Sequence, residues 1–307
     1  MRTTIAISLL LVTAATASAQ DGTPSQATNT SPAAPLRLGQ APDEAPAVDP
    51  IVIPFELLIN RPMVRVTVNG QGPFGLLLGP EEQQSRIDPE LAELLKLRQP
   101  EAGQPMLTID VAFSPKYSAR VPIAIQDMSA VAADLPAPLR PRGIISLSTW
   151  SDELVTLDYS RWKISIEPGV LPEPDQTKVF ALNDAGELRL PLSLGGEAVE
   201  CHVDPWFPAA LLLPTTAVEE GQLAGEPRDK GTIATKAATL RVHEGRLATE
   251  VVLGPFEVKT PFVLISESAA IATVGTPFLA RYAITYDIVN GRVKLERPNK
   301  EQTRSRN

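Results

Sequence analysis

A strand–hairpin–strand plan that occurs twice limits the folds open to this chain more than any other feature. The first copy runs from Met63 to Glu82, and the second from Leu188 to Trp206. In both, apolar residues alternate with polar ones (Val64, Val66, Val68; Leu188, Leu190, Leu192), the period of a half-buried strand. Asn69-Gly70 and Gly195-Gly196 supply the hairpin turns, because tight hairpins need residues that tolerate positive φ. After each hairpin an apolar strand stops at a polar turn, Gly79-Pro80-Glu81 in one copy and Asp204-Pro205-Trp206 in the other. A β-rich unit used twice is the plan that results.

The ends of the two copies repeat as well. Ser146–Glu167 overlays Gly275–Glu296 without a gap, placing Thr156, Asp158 and Glu167 on Thr285, Asp287 and Glu296. Val155, Ile164 and Ile166 fall on Ile284, Val293 and Leu295, so the apolar pattern is shared too. Between these landmarks, Asp88-Pro89 predicts a helix start, and Leu91, Leu94 and Leu95 form one apolar face. Strands are expected at Ile51–Ile59, Met106–Phe113, Ala119–Ile125 and Gly143–Leu147. In the second half they are expected at about 236–243, 246–253 and 256–265, with a short helix over Pro214–Glu220.

With 307 residues there is room for two ordinary cores. The expected divisions are a signal peptide at 1–19, a Pro/Ala/Thr-rich spacer at 20–50 and a first lobe at 51–168. A linker at 169–178, a second lobe at 179–298 and a tail at 299–307 follow. Met1-Arg2, the apolar run Ile5–Ala15 and Ala17-Ser18-Ala19 have the form of a cleaved export signal, so the expected location is periplasmic or secreted. Later apolar runs are broken by charges, and no transmembrane helix is expected. Lys and Arg total 28 against 36 Asp and Glu, a net charge of −8 with no basic run, which argues against nucleic acid as a partner. Cys201 is the only cysteine, so no internal disulfide can form. On its strand it reads as a small buried apolar residue. The two histidines, His202 and His243, lie in separate strands and give no zinc pattern, so no metal or cofactor is expected.

Several stretches together resemble the retropepsin-like aspartic peptidases, in their bacterial exported two-copy form. They are Ile53-Pro54-Phe55-Glu56-Leu57, Val66 to Phe74 through Asn69-Gly70, and Ser85 to Leu91. Ile144-Ile145-Ser146 and Thr273-Val274-Gly275 are similar to that family's apolar-apolar-Gly element. The resemblance spans about residues 51–297 and implies an all-β fold of two β-barrel lobes from an internal duplication, each with a short helix, around a cleft. It also implies an Asp-Thr-Gly turn in each copy, whose two aspartates share one proton because like charges so close cannot both ionise. Here the first aspartate's place holds Gly79, and the second copy keeps Asp204 but has Pro205 and Trp206 in place of Thr and Gly.

The catalytic candidates are therefore Asp204 and, as a substitute carboxylate, Glu81; Gly79, Pro80, Pro205 and Trp206 are the candidate substrate-binding residues. Each has a plainer reading. Asp204 can cap its turn, Glu81 and Glu82 can be a solvated loop pair, and Trp206 can either floor a ligand cleft or pack under its own lobe. The expectation is an exported, inactive homologue that binds peptide or protein between its lobes, with a monomer favoured. The alternatives are an active endopeptidase using Asp204 with a substitute carboxylate, and a structural envelope module with a filled cleft.

Overall fold

The computed structural model describes residues 49–298, except 102, 132–134, 137–138, 220, 236–237 and 255. The expected signal peptide, the spacer up to residue 48 and the tail from 299 lie outside the described residues. The fold is all-β with two lobes and a short helix in each, as the resemblance implies.

Alternation builds the strands. Along Leu188–Leu194, Leu188, Leu190, Leu192 and Leu194 are buried while Arg189 and Pro191 face solvent. Along Arg61–Val68, Val64, Val66 and Val68 turn inward and Arg65 outward. Both hairpin turns are left-handed at both central residues, with φ of 48° and 76° at Asn69-Gly70 and of 59° and 105° at Gly195-Gly196. That geometry matches the right-handed twist of the flanking strands.

In the first lobe seven strands run in the order Glu56–Leu58, Arg61–Val68, Gln71–Gly79, Gly143–Ser146, Ser85–Ile87, Tyr117–Ile125, Leu107–Ser114. Pairing of Thr67 with Ala112 and of Val68 with Val111 closes this sheet into a small barrel. The helix α1 (Pro89–Leu94) starts as expected: the Asp88 carboxylate accepts from the Leu91 N–H at 2.5 Å, and Leu91 and Ala92 are buried.

The second lobe has a nine-stranded sheet running from Arg228–Ala234 at one edge to Phe256–Lys259 at the other. Here the sequence expectations need correction. Arg228–Ala234 was not anticipated, because as an edge strand it has little to bury: all but Ile233 is exposed, and the register shifts between Asp229 and Gly231. The strand expected over 256–265 is two, Phe256–Lys259 and Phe262–Ser266, broken where Thr260 takes φ 45° before Pro261. The helix expected over Pro214–Glu220 is a single 3-10 turn at Thr215–Ala217. The lobe's α-helix, α2, is Thr276–Leu279, with Pro277 in its first turn.

A third sheet joins the lobes. Its order is Ile51–Pro54, Lys163–Glu167, Leu154–Asp158, Ala283–Asp287, Arg292–Glu296, Val179–Ala181, with three strands from each copy arranged symmetrically. The two central strands are antiparallel and pair Thr156 with Thr285. One buried apolar cluster continues through this sheet, from Val64 and Leu78 by way of Leu157 and Ile284 to Leu190 and Val274. Each such side chain contributes about 1.5–3 kcal/mol by leaving water. The shared core and the shared sheet hold the two strand-to-turn junctions together.

Candidate functional site at the lobe junction

Both junctions are built in the same way. Gln71–Gly79 runs parallel to Gly143–Ser146, with Gly79 opposite Ser146. Glu197–Val203 runs parallel to Ala272–Val274, and the Asp204 N–H donates to the Val274 carbonyl at 2.9 Å. Each strand then enters a tight turn, closed by the Glu82 N–H to the Gly79 carbonyl at 3.1 Å and by the Phe207 N–H to the Asp204 carbonyl at 3.0 Å. Gly79 and Asp204 thus hold matching places, one without a side chain and the other with a carboxylate.

The space around Gly79 is already occupied. A Cβ there would lie 2.4 Å from Glu82 Cγ and 2.8 Å from Ile144 Cγ2. Ser146 stands beside this turn: its hydroxyl donates to the Glu82 carbonyl and accepts from the Ser148 N–H at 3.1 Å, and its N–H donates to Ser85 Oγ at 2.9 Å. Its counterpart in the other copy is Gly275, where a Cβ would meet the Phe207 carbonyl at 2.2 Å and the Ala209 carbonyl at 2.4 Å. The second turn therefore packs directly on Gly275, and Thr276 Oγ1 fixes it by donating to the Pro205 carbonyl at 2.5 Å.

Charge at the junction is paired, by Glu81 with His202 across the lobes and by Glu82 with Arg86 within the first lobe. Glu81 Oε1 lies 2.5 Å from His202 Nε2, with the side chains only 11% and 15% exposed. Glu82 pairs with Arg86 at 2.9 Å and is also 11% exposed. The reading of Glu81 and Glu82 as a solvated loop pair is thereby corrected: both are folded inward against cations. Burial on its own would lower the His202 pKa, but the hydrogen bond and charge of Glu81, helped by Asp204 and Glu187, outweigh it and hold the imidazole above its ordinary value.

Asp204 takes up the capping geometry, its Oδ1 accepting from the Trp206 N–H at 2.8 Å. Beside it, Arg61 is lowered by burial, an effect that the charge of Asp204 opposes. The Arg61 guanidinium lies 5.2 Å from the Trp206 ring centre and donates through Nη1 to the Val131 carbonyl at 2.5 Å. Trp206 neither floors an open cleft nor stays under its own lobe. Its indole N–H crosses to the first lobe and donates to the Leu78 carbonyl at 2.7 Å, while Asn60 Nδ2 reaches back to the Pro208 carbonyl at 2.9 Å. Behind the junction, Tyr159 is 1% exposed, and its hydroxyl has no hydrogen-bond partner among the described residues. Burial first, then the charges of Asp204 and Glu81, push its pKa up.

Gly79, Pro80, Glu81, Asp204, Pro205 and Trp206 come together around one cavity of only about 10 Å3. That is room for about one water molecule. Sequence reasoning missed His202, although it alternates with buried Cys201 and Val203 on the strand that leads to Asp204. Cys201 is buried, and burial pushes its thiol up to about 12, so it is no nucleophile at neutral pH. Among the described residues no cluster of three or more His, Cys, Asp or Glu could hold a metal ion, and no helix is long and apolar enough to cross a membrane.

No protein-family model matches the chain, and no curated protein matches it. Solved structures do. Soybean basic 7S globulin is 11% identical over 84% of this chain and 97% of its own, with a TM-score of 0.48. A retropepsin-like aspartic protease from Rickettsia conorii is 17% identical over 38% of this chain and 96% of its own, with a TM-score of 0.30.

Proposed function

We propose that this chain is an exported, non-catalytic relative of the aspartic peptidases whose lobe junction serves to hold the two lobes together. The observation that carries this reading is the state of the two carboxylates a dyad would need. The first place is Gly79, with no space for a carboxyl-bearing side chain, and both neighbouring carboxylates are committed, Glu81 to His202 at 2.5 Å and Glu82 to Arg86 at 2.9 Å. Asp204 alone cannot share a proton with a partner and so cannot divide acid and base work in activating water. The 10 Å3 cavity favours the filled-cleft reading over a peptide seated between Gly79 and Asp204. Export is supported by the signal-like segment Met1–Ala19.

The test is incubation of the protein with a diverse unfolded peptide mixture from pH 3 to 7, beside an Asp204→Asn variant, with products read by mass spectrometry. Both proteins are expected to leave the mixture intact. Cleavage by the wild type that disappears in the variant would overturn the reading and place a working second carboxylate beside Asp204.

A further inference from the structure

The second lobe carries a pocket that the junction does not account for. It measures about 410 Å3, within the roughly 300–1,000 Å3 typical of small-ligand sites. Its floor is apolar, from Leu211, Val251 and the ring of Tyr282, all buried. Phe278 and Phe262 also line it, and Phe262 is 64% exposed, with the Arg246 guanidinium 5.6 Å from its ring centre.

The mouth has the opposite charge to the rest of the molecule. Lys259, Arg281 and Arg297 stand there against one carboxylate, Glu257, which already lies 3.9 Å from Lys259. The chain as a whole carries −8. Arg297 is held in place by the aromatic wall: its guanidinium lies 5.6 Å from the Tyr282 ring centre and 6.0 Å from that of Phe256, and Nη2 reaches Tyr282 Oη at 3.4 Å. Phe256 and Tyr282 are themselves stacked, with ring centres 3.9 Å apart. A guanidinium positioned in this way keeps unused N–H groups for a planar anion, and a carboxylate fits that fork better than it fits an ammonium.

We propose that this pocket binds a ligand with an apolar or aromatic body and a single carboxylate, the body between Phe262, Phe278 and Tyr282 and the carboxylate on Arg281 and Arg297. A free aromatic acid and the C-terminal residue of a peptide share this chemistry. The proposal is independent of the reading of the junction.

Calorimetric titration of the full chain with N-acetylphenylalanine, its carboxamide and the tripeptide Ala-Ala-Phe tests it. The acid is expected to bind about tenfold more tightly than the amide, the scale of one charge-assisted hydrogen bond. Arg281→Gln, at an exposed position, should weaken the acid roughly fivefold and leave the amide unchanged. Phe262→Ala, also exposed, should weaken both alike. Tighter binding of the tripeptide supports the site with a peptide C-terminus as its ligand, and tighter binding of N-acetylphenylalanine supports it with a free acid. Equal binding of acid and amide, no binding of either up to their solubility, or an Arg281→Gln variant that binds the acid as the wild type does would overturn the proposal.

Discussion

The hydroxyls of Thr156 and Thr285 lie 2.8 Å apart at the centre of the sheet that joins the lobes. These residues hold the same place in the two copies, and in the antiparallel pair Leu154–Asp158 with Ala283–Asp287 they stand opposite each other. The approximate twofold axis of the molecule passes between them. On either side the copies repeat each other: Asp158 closes its hairpin by accepting from the Arg161 N–H at 3.0 Å, and Asp287 closes its own by accepting from the Asn290 N–H at 3.3 Å.

Removing one of these hydroxyls leaves the other without this partner at a part-buried site. Thr156→Val or Thr285→Val alone is expected to cost about 1–2 kcal/mol, whereas the double variant should cost less than the sum. Denaturant unfolding of the four proteins measures the coupling. Strict additivity would mean that the contact does not bind the lobes.

Introducing an aspartate at Gly79 should not make the protein a peptidase. The obstacle is steric, since a Cβ would press on Glu82 Cγ at 2.4 Å and on Ile144 Cγ2 at 2.8 Å. Gly79→Asp is expected to destabilise the protein by about 1–3 kcal/mol, the usual range for overpacking, and to show no cleavage. Adding Glu82→Ala removes the Cγ contact but leaves Glu82 Cβ and Ile144 Cγ2, each 2.8 Å away, in place, so stability should recover only in part. Thermal melts and the peptide-mixture assay together check this.

Much of the fold was legible because its signals are local or repeated. Val64, Val66 and Val68 declare a strand by alternation, Asn69-Gly70 declares a turn, and the overlay of Thr156 on Thr285 declares the duplication. What escaped depends on distant neighbours. Arg228–Ala234 forms a strand through its partner Thr239–Arg246 while burying almost nothing of its own, so it shows no period. Glu81 is polar in a polar turn, and its pairing with His202, 121 positions away, cannot be read from its neighbours in the chain. That Gly79 carries no carboxylate was visible in the sequence, but the crowding there comes from Glu82 folding back over the turn and from Ile144 on the neighbouring strand.

Trp206 ties the second turn to the first lobe through one hydrogen bond, from its indole N–H to the Leu78 carbonyl at 2.7 Å. Trp206→Phe keeps most of the ring against Arg61 but removes the indole donor from that carbonyl. A loss of about 1–3 kcal/mol is expected, and amide hydrogen exchange should rise first around residues 78–82 and 204–207. Exchange that rises equally everywhere would show that Trp206 supports the global core and not the junction.

The Glu81–His202 pair makes stability depend on pH in a defined direction. The folded imidazole sits above its unfolded value, near 6.5, because Glu81, Asp204 and Glu187 favour the charged form more than burial disfavours it. A group raised in this way stabilises the fold fully below the unfolded pKa, and that contribution is lost as pH rises through the folded pKa. Glu81→Gln removes the main opposing charge and should bring the His202 titration down. The wild type is therefore expected to exceed the variant by about 1–3 kcal/mol at pH 5.5, the scale of a hydrogen bond between charged groups, and the gap should narrow steadily toward pH 8.5. Denaturant unfolding across that range, with His202 followed by NMR against His243 as internal reference, measures both quantities. A gap that stays constant with pH would mean that the pair is held by shape alone, with the imidazole neutral throughout.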